Sequence, residues 1–321
     1  MFNTKFGIEI EFTGITRIAA AKASADYFNV SRVDNVGGFY GTQTVTAPDG
    51  RVWKFVSDAS ITCQKKVNRQ IVSANNDYSV ELVSPILTYH DDIKAVQELI
   101  RKLRKAGGFV NKTCGIHVHL NGEDHSPRSI RNFINIIASK NDLLYKALQV
   151  EPERQRYCMK IDAYLVEEMN RRRPTSFTQI KDIWYGRFRN EARSRHYNSS
   201  RYSFLNLHSF FGRTSGSLAS GTVELRGFNA ALHAGKVRAF ICLALALNNQ
   251  ALTQTSASSK KVQSENEKFA MRVFLNRIGF IGDEFKSCRE HLYLHLDGNA
   301  AWRYGYDRRI DNREVVVNSD S

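Results

Sequence analysis

The sequence of 321 residues predicts an α+β fold built on a largely antiparallel sheet. Four segments alternate apolar and polar residues, which is typical of strands with one buried face. Stretches between them place apolar residues at helical spacing, which predicts helices that cover the buried face. Strands and helices do not alternate regularly, as they would in a parallel sheet. We therefore expect helices on one face of the sheet and a polar site on the other.

The four alternating segments carry their polar residues on one side. FGIEIEF places Glu9 and Glu11 two residues apart, and CGIHVHL does the same with His117 and His119. Residues i and i+2 of a strand point to the same face, so each pair shares a face. Two further segments, YSVELVSPIL and GTVELRGF, complete the set of polar strand residues, which are Glu9, Glu11, Glu81, His117, His119, Glu224 and Arg226.

One glutamate or one histidine pair in a strand is usually an ordinary polar residue, hydrogen-bonded or facing water. Four such strands in one sheet would gather carboxylates that cannot all stay ionised without cations. Magnesium or manganese suits such an oxygen-rich site, whereas zinc favours more His and Cys. Arg226 is close to Glu224 in the sequence, and its guanidinium can donate two parallel hydrogen bonds to phosphate oxygens. The chain has no GxxxxGK[ST] loop and no strand-linked GxGxxG, so metals would have to hold a nucleotide.

Turn and capping signals divide the first half of the chain. Ser126 and Pro127 are typical of a helix start, followed by a buried stripe that includes Ile130 and Phe133. The other predicted elements are a helix at 18–28, a glycine-rich turn at 34–43, strands at 43–47 and 51–57, and a helix at 91–106.

The second half is predicted to be mostly helical. Ser264 with Glu267 has the spacing of a capping box, which predicts a helix from there to about Arg277. The other predicted elements are helices at 153–172, 178–194, 234–255 and 283–295, a strand-like stretch at 201–211, a flexible loop at 212–221 and a polar C-terminal tail.

The formal net charge of +14 favours contact with an anionic partner. Aromatic residues are interleaved with the arginines of one segment, which would suit a nucleic acid or another anionic polymer. The alternative is a solvated helix with a few active-site arginines, since charge alone says little about function. The arginines concerned are Arg171, Arg172, Arg173, Arg187, Arg189, Arg193, Arg195 and Arg201.

The five cysteines are scattered and form no CxxC pair, which argues for reduced thiols rather than a disulfide framework or a zinc finger. The chain enters a strand almost at once, which argues against a signal peptide. The longest apolar run, residues 239–247, is too short to span a bilayer and is expected to be a buried helix. These features predict a cytoplasmic protein with no membrane contact.

Six segments together resemble a known family: GIEIEF, WKFVSDASI, VELVSPIL, CGIHVHL, RYSFLNL and TVELRGF. Their content and order are similar to those of the amidoligases of the carboxylate–amine ligase superfamily, over about residues 5–250. The resemblance implies a catalytic domain like those of glutamine synthetase and glutamate–cysteine ligase, with a curved sheet and an acidic metal and ATP site. That domain would span residues 1–255, with an arginine-rich helical insert at about 153–200, and residues 256–321 would form a C-terminal helical extension and tail.

The resemblance also implies an activity. ATP would phosphorylate a carboxylate, and an amine would attack the acyl phosphate to form an amide or isopeptide bond, with release of ADP and phosphate. ATP and two or more Mg²⁺ or Mn²⁺ ions would be the cofactors. A peptide, a protein or a cell-wall component would be among the substrates that such an enzyme accepts.

The resemblance assigns roles residue by residue. His119 and Arg226 match positions beside the nucleotide phosphates, and both are assigned to catalysis and to cofactor binding. This chain departs from glutamine synthetase in one respect, because no third carboxylate ligand for the first metal is evident in the sequence. The matched metal positions are Glu9, Glu11, Glu81, His117 and Glu224; Arg201 matches a catalytic, substrate- or phosphate-facing position, and Asn206, Asp58 and Ser60 match cofactor-binding positions.

Three other functions remain open from the sequence. A basic nucleic-acid-binding protein would use the acidic strands only structurally. A Mg²⁺-dependent nuclease would also combine carboxylates with a basic groove. A cupin-like metal enzyme shares the HxH pattern, but its ligands come from a few consecutive short strands, whereas these spread from residue 9 to residue 224. Consumption of ATP would separate the ligase from all three.

Overall fold

A computed structural model describes residues 2–211, 221–261 and 264–304. It has the predicted mixture of helices and antiparallel sheet, so the α+β class is confirmed. The described strands are β1 (Phe6–Phe12), β2 (Asp34–Gly37), β3 (Thr42–Thr46), β4 (Val52–Val56), β5 (Gln64–Val67), β6 (Gln70–Ser73), β7 (Val80–Val83), β8 (Gly115–Asn121), β9 (Leu205–Asn206) and β10 (Thr222–Asn229).

Eight of these strands form one sheet in the order β2–β3–β4–β7–β1–β8–β10–β9. Every neighbouring pair in that sheet is antiparallel. The four strands with alternating polar residues, β7, β1, β8 and β10, are therefore adjacent at the centre of the sheet. The remaining two strands, β5 and β6, form a separate hairpin.

Helices cover the apolar face of the sheet. Helices α1 and α8 contact strands of the sheet directly, and α2, α3 and α10 pack on α8 or α1. The described helices are α1 (Arg17–Phe28), α2 (Tyr89–Lys105), α3 (Pro127–Ala147), α4 (Pro152–Gln155), α5 (Ala163–Arg172), α6 (Phe177–Trp184), α7 (His208–Phe211), α8 (Ala234–Thr253), α9 (Glu267–Arg277) and α10 (Lys286–Tyr293).

The core lies between this helical layer and the sheet. Ile8, Ile10 and Phe12 of β1 are fully buried in it, as their alternation predicts. The apolar run at 239–247 is buried within α8, as expected. No described helix has both the length and the apolar character needed to cross a membrane.

Capping explains where two helices begin. Ser126 caps α3, as predicted, and forms a capping box with Ser129, while Pro127 lies in the first turn. The predicted start at Ser264 is wrong, because α9 begins at Glu267 with Asn266 as its cap. The side chain of Asn266 accepts a hydrogen bond from the Phe269 amide, which satisfies one of the unpaired donors of the first turn.

Between residues 151 and 211, the prediction from the sequence contained more helix and strand than the structure has. The predicted helix at 153–172 is interrupted, because Asp162 caps a new helix, α5. The predicted helix at 178–194 ends at Trp184 and continues only as a 3₁₀ turn to Arg187. Only Leu205–Asn206 of the strand-like stretch forms a strand, since α7 follows directly. The predicted loop at 212–221 lies almost entirely outside the described residues.

Three short strands were not predicted. Part of the glycine-rich turn is strand β2, which pairs with β3 at the edge of the sheet. The hairpin of β5 and β6 turns through Asn68 and Arg69, both of which have positive φ. A two-residue turn with positive φ at both positions matches the twist of a hairpin. Arg69 is an unusual residue for that conformation, which is why the sequence did not indicate the turn.

Candidate active site

The register of the central strands gathers the predicted polar residues on one face. Glu11 lies opposite Glu81, and Glu9 lies opposite His117. Directly opposite residues of an antiparallel pair point to the same side. On the next pair of strands, β8 and β10, His119 is likewise opposite Glu224. We call the surface formed by Glu9, Glu11, Glu81, His117 and Glu224 the acidic face.

His117 lies at the centre of the acidic face. Its Nδ1 is 3.0 Å from Glu9 Oε2 and 3.6 Å from Glu224 Oε1, and its Nε2 is 3.7 Å from Glu11 Oε1. The side chain is only 6% exposed. Both ring nitrogens therefore face carboxylates, and the imidazole belongs to the site rather than to a solvated surface.

His119 lies two residues after His117 on β8 and therefore points to the same face of the sheet. Its Nε2 is 3.2 Å from Glu9 Oε1, and its Nδ1 is 3.2 Å from the hydroxyl of Thr222. Burial lowers the pKa of this imidazole, but the carboxylates of Glu9 and Glu224 outweigh burial and raise the pKa to about 9. His119 is therefore a hydrogen-bond donor at neutral pH.

The carboxylates differ in the charge that surrounds them. Burial raises the pKa of Glu81, and the nearby charges of Glu9 and Glu11 raise it further. Burial also raises the pKa of Glu224, but Arg226 and the imidazoles outweigh this and lower it to about 2. Glu224 is thus an ion-paired carboxylate, whereas Glu81 is repelled by its neighbours.

Two groups of side chains have the spacing of a metal site. The oxygen and nitrogen atoms of Glu9, His117 and Glu224 lie within 4.8 Å of one another, and so do those of Glu11, Glu81 and His117. Carboxylates joined by one imidazole form a donor set that fits hard divalent cations such as Mg²⁺ or Mn²⁺. The raised pKa of Glu81 points the same way, because a cation would relieve the repulsion that causes it.

Arg226 enters the acidic face at an irregularity of β10. The register with β8 shifts between Leu225 and Phe228, so an extra residue is accommodated there as a β-bulge. The Nη1 of Arg226 donates to Glu224 Oε1 at 2.5 Å, and its Nε donates to the carbonyl of Tyr157 at 3.3 Å. The predicted residue Asn206 donates to the other oxygen of Glu224 at 2.6 Å.

The sequence did not indicate Arg154, which supports this bulge. Its guanidinium is buried and donates to the carbonyls of Phe228 at 2.7 Å and Arg226 at 3.0 Å. Gly115 leaves the necessary space, because a Cβ there would lie 2.2 Å from Arg154 Nη2. A Cβ on Gly227 would likewise lie 1.8 Å from the ring of Phe204. The lack of a side chain at both positions is the only sequence signal for this packing.

The remaining predicted residues lie around the acidic face. Asp58 follows β4 and is near enough to raise the pKa values of Glu11 and Glu81. Its Oδ1 accepts a hydrogen bond from the amide of Ser60 at 2.6 Å. Arg201 makes no direct contact with the five residues of the acidic face; its guanidinium lies over the ring of Tyr197 at 5.4 Å.

Four of the eight arginines in the arginine-rich segment form ion pairs with nearby carboxylates. Arg171 and Arg172 both pair with Glu168, and Arg193 pairs with Asp182 at 2.6 Å. Arg187 forms a further pair with Asp162. Paired surface arginines favour the solvated-helix interpretation over a continuous surface for an anionic polymer.

Comparison with known proteins agrees with the geometry. No curated protein matches the chain significantly. A family model described as "putative amidoligase enzyme" matches residues 3–248, a range that includes the acidic face, Arg154 and Arg226. This range is more than half of the 321 residues. The chain therefore belongs to the amidoligase family, a family of amide-bond-forming ligases.

Proposed function

We propose that the protein is an ATP-dependent carboxylate–amine ligase that works through an acyl phosphate and releases ADP. One observation carries the proposal: adjacent strands bring four glutamates and His117 together beside the buried guanidinium of Arg226. Carboxylates of this kind suit cations that accompany nucleotide phosphates, and arginine suits the phosphates themselves. Family membership supplies the class of bond that is formed.

Two groups of residues would hold the divalent cations. Glu9 and Glu224 belong to one group and Glu11 and Glu81 to the other, and His117 is within reach of both. A neutral imidazole has one free lone pair, so His117 would ligate only one of the two cations. Cations bound there would supply positive charge beside the phosphates of ATP. Asp58 lies near the second group, since its charge acts on both Glu11 and Glu81.

The chemistry begins with an oxygen of the substrate carboxylate. It attacks the γ-phosphorus of ATP, the bond from phosphorus to the β–γ bridging oxygen breaks, and ADP leaves with the electron pair. Arg226 offsets charge on the transferring phosphoryl group. His119 donates a hydrogen bond to a phosphate oxygen. The amine nitrogen then attacks the acyl carbon, phosphate leaves, and the amine loses a proton.

The residues beside Arg226 extend the site toward the substrates. Asn206 holds the oxygen of Glu224 that Arg226 does not contact, which orients the carboxylate. Arg201, whose guanidinium lies over the rings of Tyr197 and Tyr202, would offer a cation to an anionic group of the substrate. The amine and the acid can belong to a peptide, a protein or a cell-wall component.

Thermal stability with MgATP tests the nucleotide site. A ligand at ~100 times its dissociation constant adds about 2.7 kcal/mol to the free energy of unfolding. We expect MgATP to raise the melting temperature of the natural protein and of Glu98→Gln, which changes an exposed carboxylate on α2. Glu9→Gln should abolish the shift. An equal shift in all three proteins would refute the cation assignment.

Trapping with hydroxylamine tests the chemistry. With ATP and Mg²⁺, candidate amino acids, acidic peptides and cell-wall fragments should yield hydroxamates, with equal amounts of ADP and phosphate. AMP and pyrophosphate as products would indicate adenylation and contradict the acyl phosphate. Cleavage of nucleic acid without ATP would instead support the nuclease, which would use the same carboxylates.

A further inference from the structure

A cavity between α9 and α10 lies outside the range that the amidoligase family model matches. Its volume is about 310 Å³, and it is lined by Arg272, Asn276, Ile281, Gly282 and Arg289. The first two residues belong to α9, the last belongs to α10, and the other two lie in the segment between the helices. Small-molecule sites have volumes of about 300–1,000 Å³, so this α9–α10 cavity has room for a small ligand.

Backbone carbonyls hold both guanidinium groups of the α9–α10 cavity in place. The Nη1 of Arg289 donates to the carbonyls of Phe280 at 2.7 Å and Gly282 at 2.9 Å. The Nη1 of Arg272 donates to the carbonyl of Ala300 at 2.7 Å. The Nε and Nη2 groups of both arginines form no hydrogen bond with any described residue. Each guanidinium is therefore ordered and still has N–H donors for a ligand.

Neither of these arginines has a counter-ion among the described residues. Within the described ranges, no carboxylate oxygen lies within 4.0 Å of a nitrogen of Arg272 or Arg289. Two acidic residues directly precede α10, but Glu284 pairs with Arg238 at 3.3 Å, and Asp283 pairs with neither arginine of the cavity. Two cations that line one cavity repel each other unless an anion offsets their charge. The cavity therefore favours a negatively charged ligand.

The number of charges and donors indicates which anion fits. The phosphoryl group of a monoester carries a charge of about −1.5 to −2 at pH 7 and has three acceptor oxygens. It matches two guanidinium groups, whereas a carboxylate has a single charge and two oxygens. The amide of Asn276 adds a further donor, since it forms no hydrogen bond with any described side chain or backbone group. Ile281, which is 70% exposed, offers an apolar surface to the organic part of a monoester.

We propose that the α9–α10 cavity binds a phosphoryl group, either in a small phosphate monoester or as free phosphate. Arg272 and Asn276 on α9 and Arg289 on α10 donate to its oxygens. The ligand thereby connects the two helices, and α10 packs directly on α8. The inference does not depend on the proposed ligase function, because the cavity shares no residue with the acidic face.

Isothermal titration calorimetry of the full chain in the presence of EDTA tests this site. The chelator removes the divalent cations through which the acidic face could hold a phosphate. We expect phenyl phosphate to bind, and benzoate, which has the same ring but a single charge, to bind at least about tenfold more weakly.

Substitutions in α9 and α10 locate the binding. Arg272→Gln and Arg289→Gln should each weaken the binding of phenyl phosphate by about tenfold or more, because each removes charge-assisted hydrogen bonds. Arg277→Gln is the matched control, since it removes the same charge from an exposed position of α9 that does not line the cavity. It should leave the affinity unchanged.

A carboxylate placed in the cavity separates a binding role of the arginines from a structural one. Ile281→Asp adds a negative charge to the cavity without removing either arginine, and its exposed position should leave the fold intact. This variant should lose binding, whereas Ile281→Asn, which has nearly the same shape and no charge, should retain most of it.

The outcomes separate the proposal from its alternatives. Equal affinities of the two Ile281 variants, or of benzoate and phenyl phosphate, would overturn it. Failure of both phenyl phosphate and inorganic phosphate to bind would do the same. If phenyl phosphate binds more tightly than inorganic phosphate, the ligand is a monoester, and the reverse order identifies free phosphate.

Discussion

The four central strands and the segment from 151 to 211 both build the site, but they do so by different physical means. In the strands, alternation places each polar residue on the acidic face, and cross-strand register brings Glu9 to His117 and Glu11 to Glu81. In the segment, Arg154 reaches the site through carbonyls of a bulge, without any periodic pattern. Local periodicity therefore identifies residues that line a site, whereas residues that support it depend on tertiary packing.

The largest effect should come from breaking the ion pair on the strand side. Glu224→Ala removes the carboxylate that Arg226 and Asn206 both contact, and leaves the guanidinium of Arg226 buried without its counter-ion. We expect the free energy of unfolding to fall by about 3–5 kcal/mol, which urea denaturation would measure.

A second substitution isolates the cause of this loss. Arg226→Leu in the Glu224→Ala background removes the buried charge that has lost its counter-ion, and should restore part of the free energy of unfolding. A loss well below 1 kcal/mol for Glu224→Ala alone would show that the guanidinium is hydrated and the pair is not essential to the fold.

The comparison also explains how far the sequence could predict this molecule. The strands that carry Glu81, Glu9, His117 and Glu224 were predicted because a period of two is visible within five residues. Their order in the sheet was not, since pairing joins residues that are more than 60 positions apart. Arg154 could not be found, because its partners are backbone carbonyls, which have no sequence signature.

On the segment side, Arg154→Met should have the next largest effect. Methionine fills similar space but leaves the carbonyls of Arg226 and Phe228 unpaired, at a cost of about 1–3 kcal/mol for each buried group. Arg156→Met, two residues along and exposed, is the matched control and should change the free energy of unfolding by less than about 0.5 kcal/mol. Equal effects of the two substitutions would mean that Arg154 does not support the bulge.

One substitution on the acidic face should act in the opposite direction. Burial and the charges of Glu9 and Glu11 raise the pKa of Glu81. The negative charge of Glu81 therefore destabilises the cation-free protein. Glu81→Gln should therefore increase the free energy of unfolding by about 1 kcal/mol in the presence of a chelator. The same substitution should reduce the additional stability given by Mn²⁺. Glu290→Gln, on the exposed surface of α10, should do neither.

The smallest effect is expected in the arginine-rich segment. Arg193 and Asp182 are each about half exposed, and such a pair contributes less than about 1 kcal/mol to the free energy of unfolding. Arg193→Ala should therefore be nearly neutral in urea denaturation. It should also leave weak binding to single-stranded DNA unchanged, because Asp182 already neutralises the arginine. A binding surface for an anionic polymer would behave differently, since each lost phosphate contact lowers the slope of log affinity against log salt by about one. A reduced slope for Arg193→Ala would show that the DNA displaces Asp182, and the segment would then be a binding surface as well as part of the site.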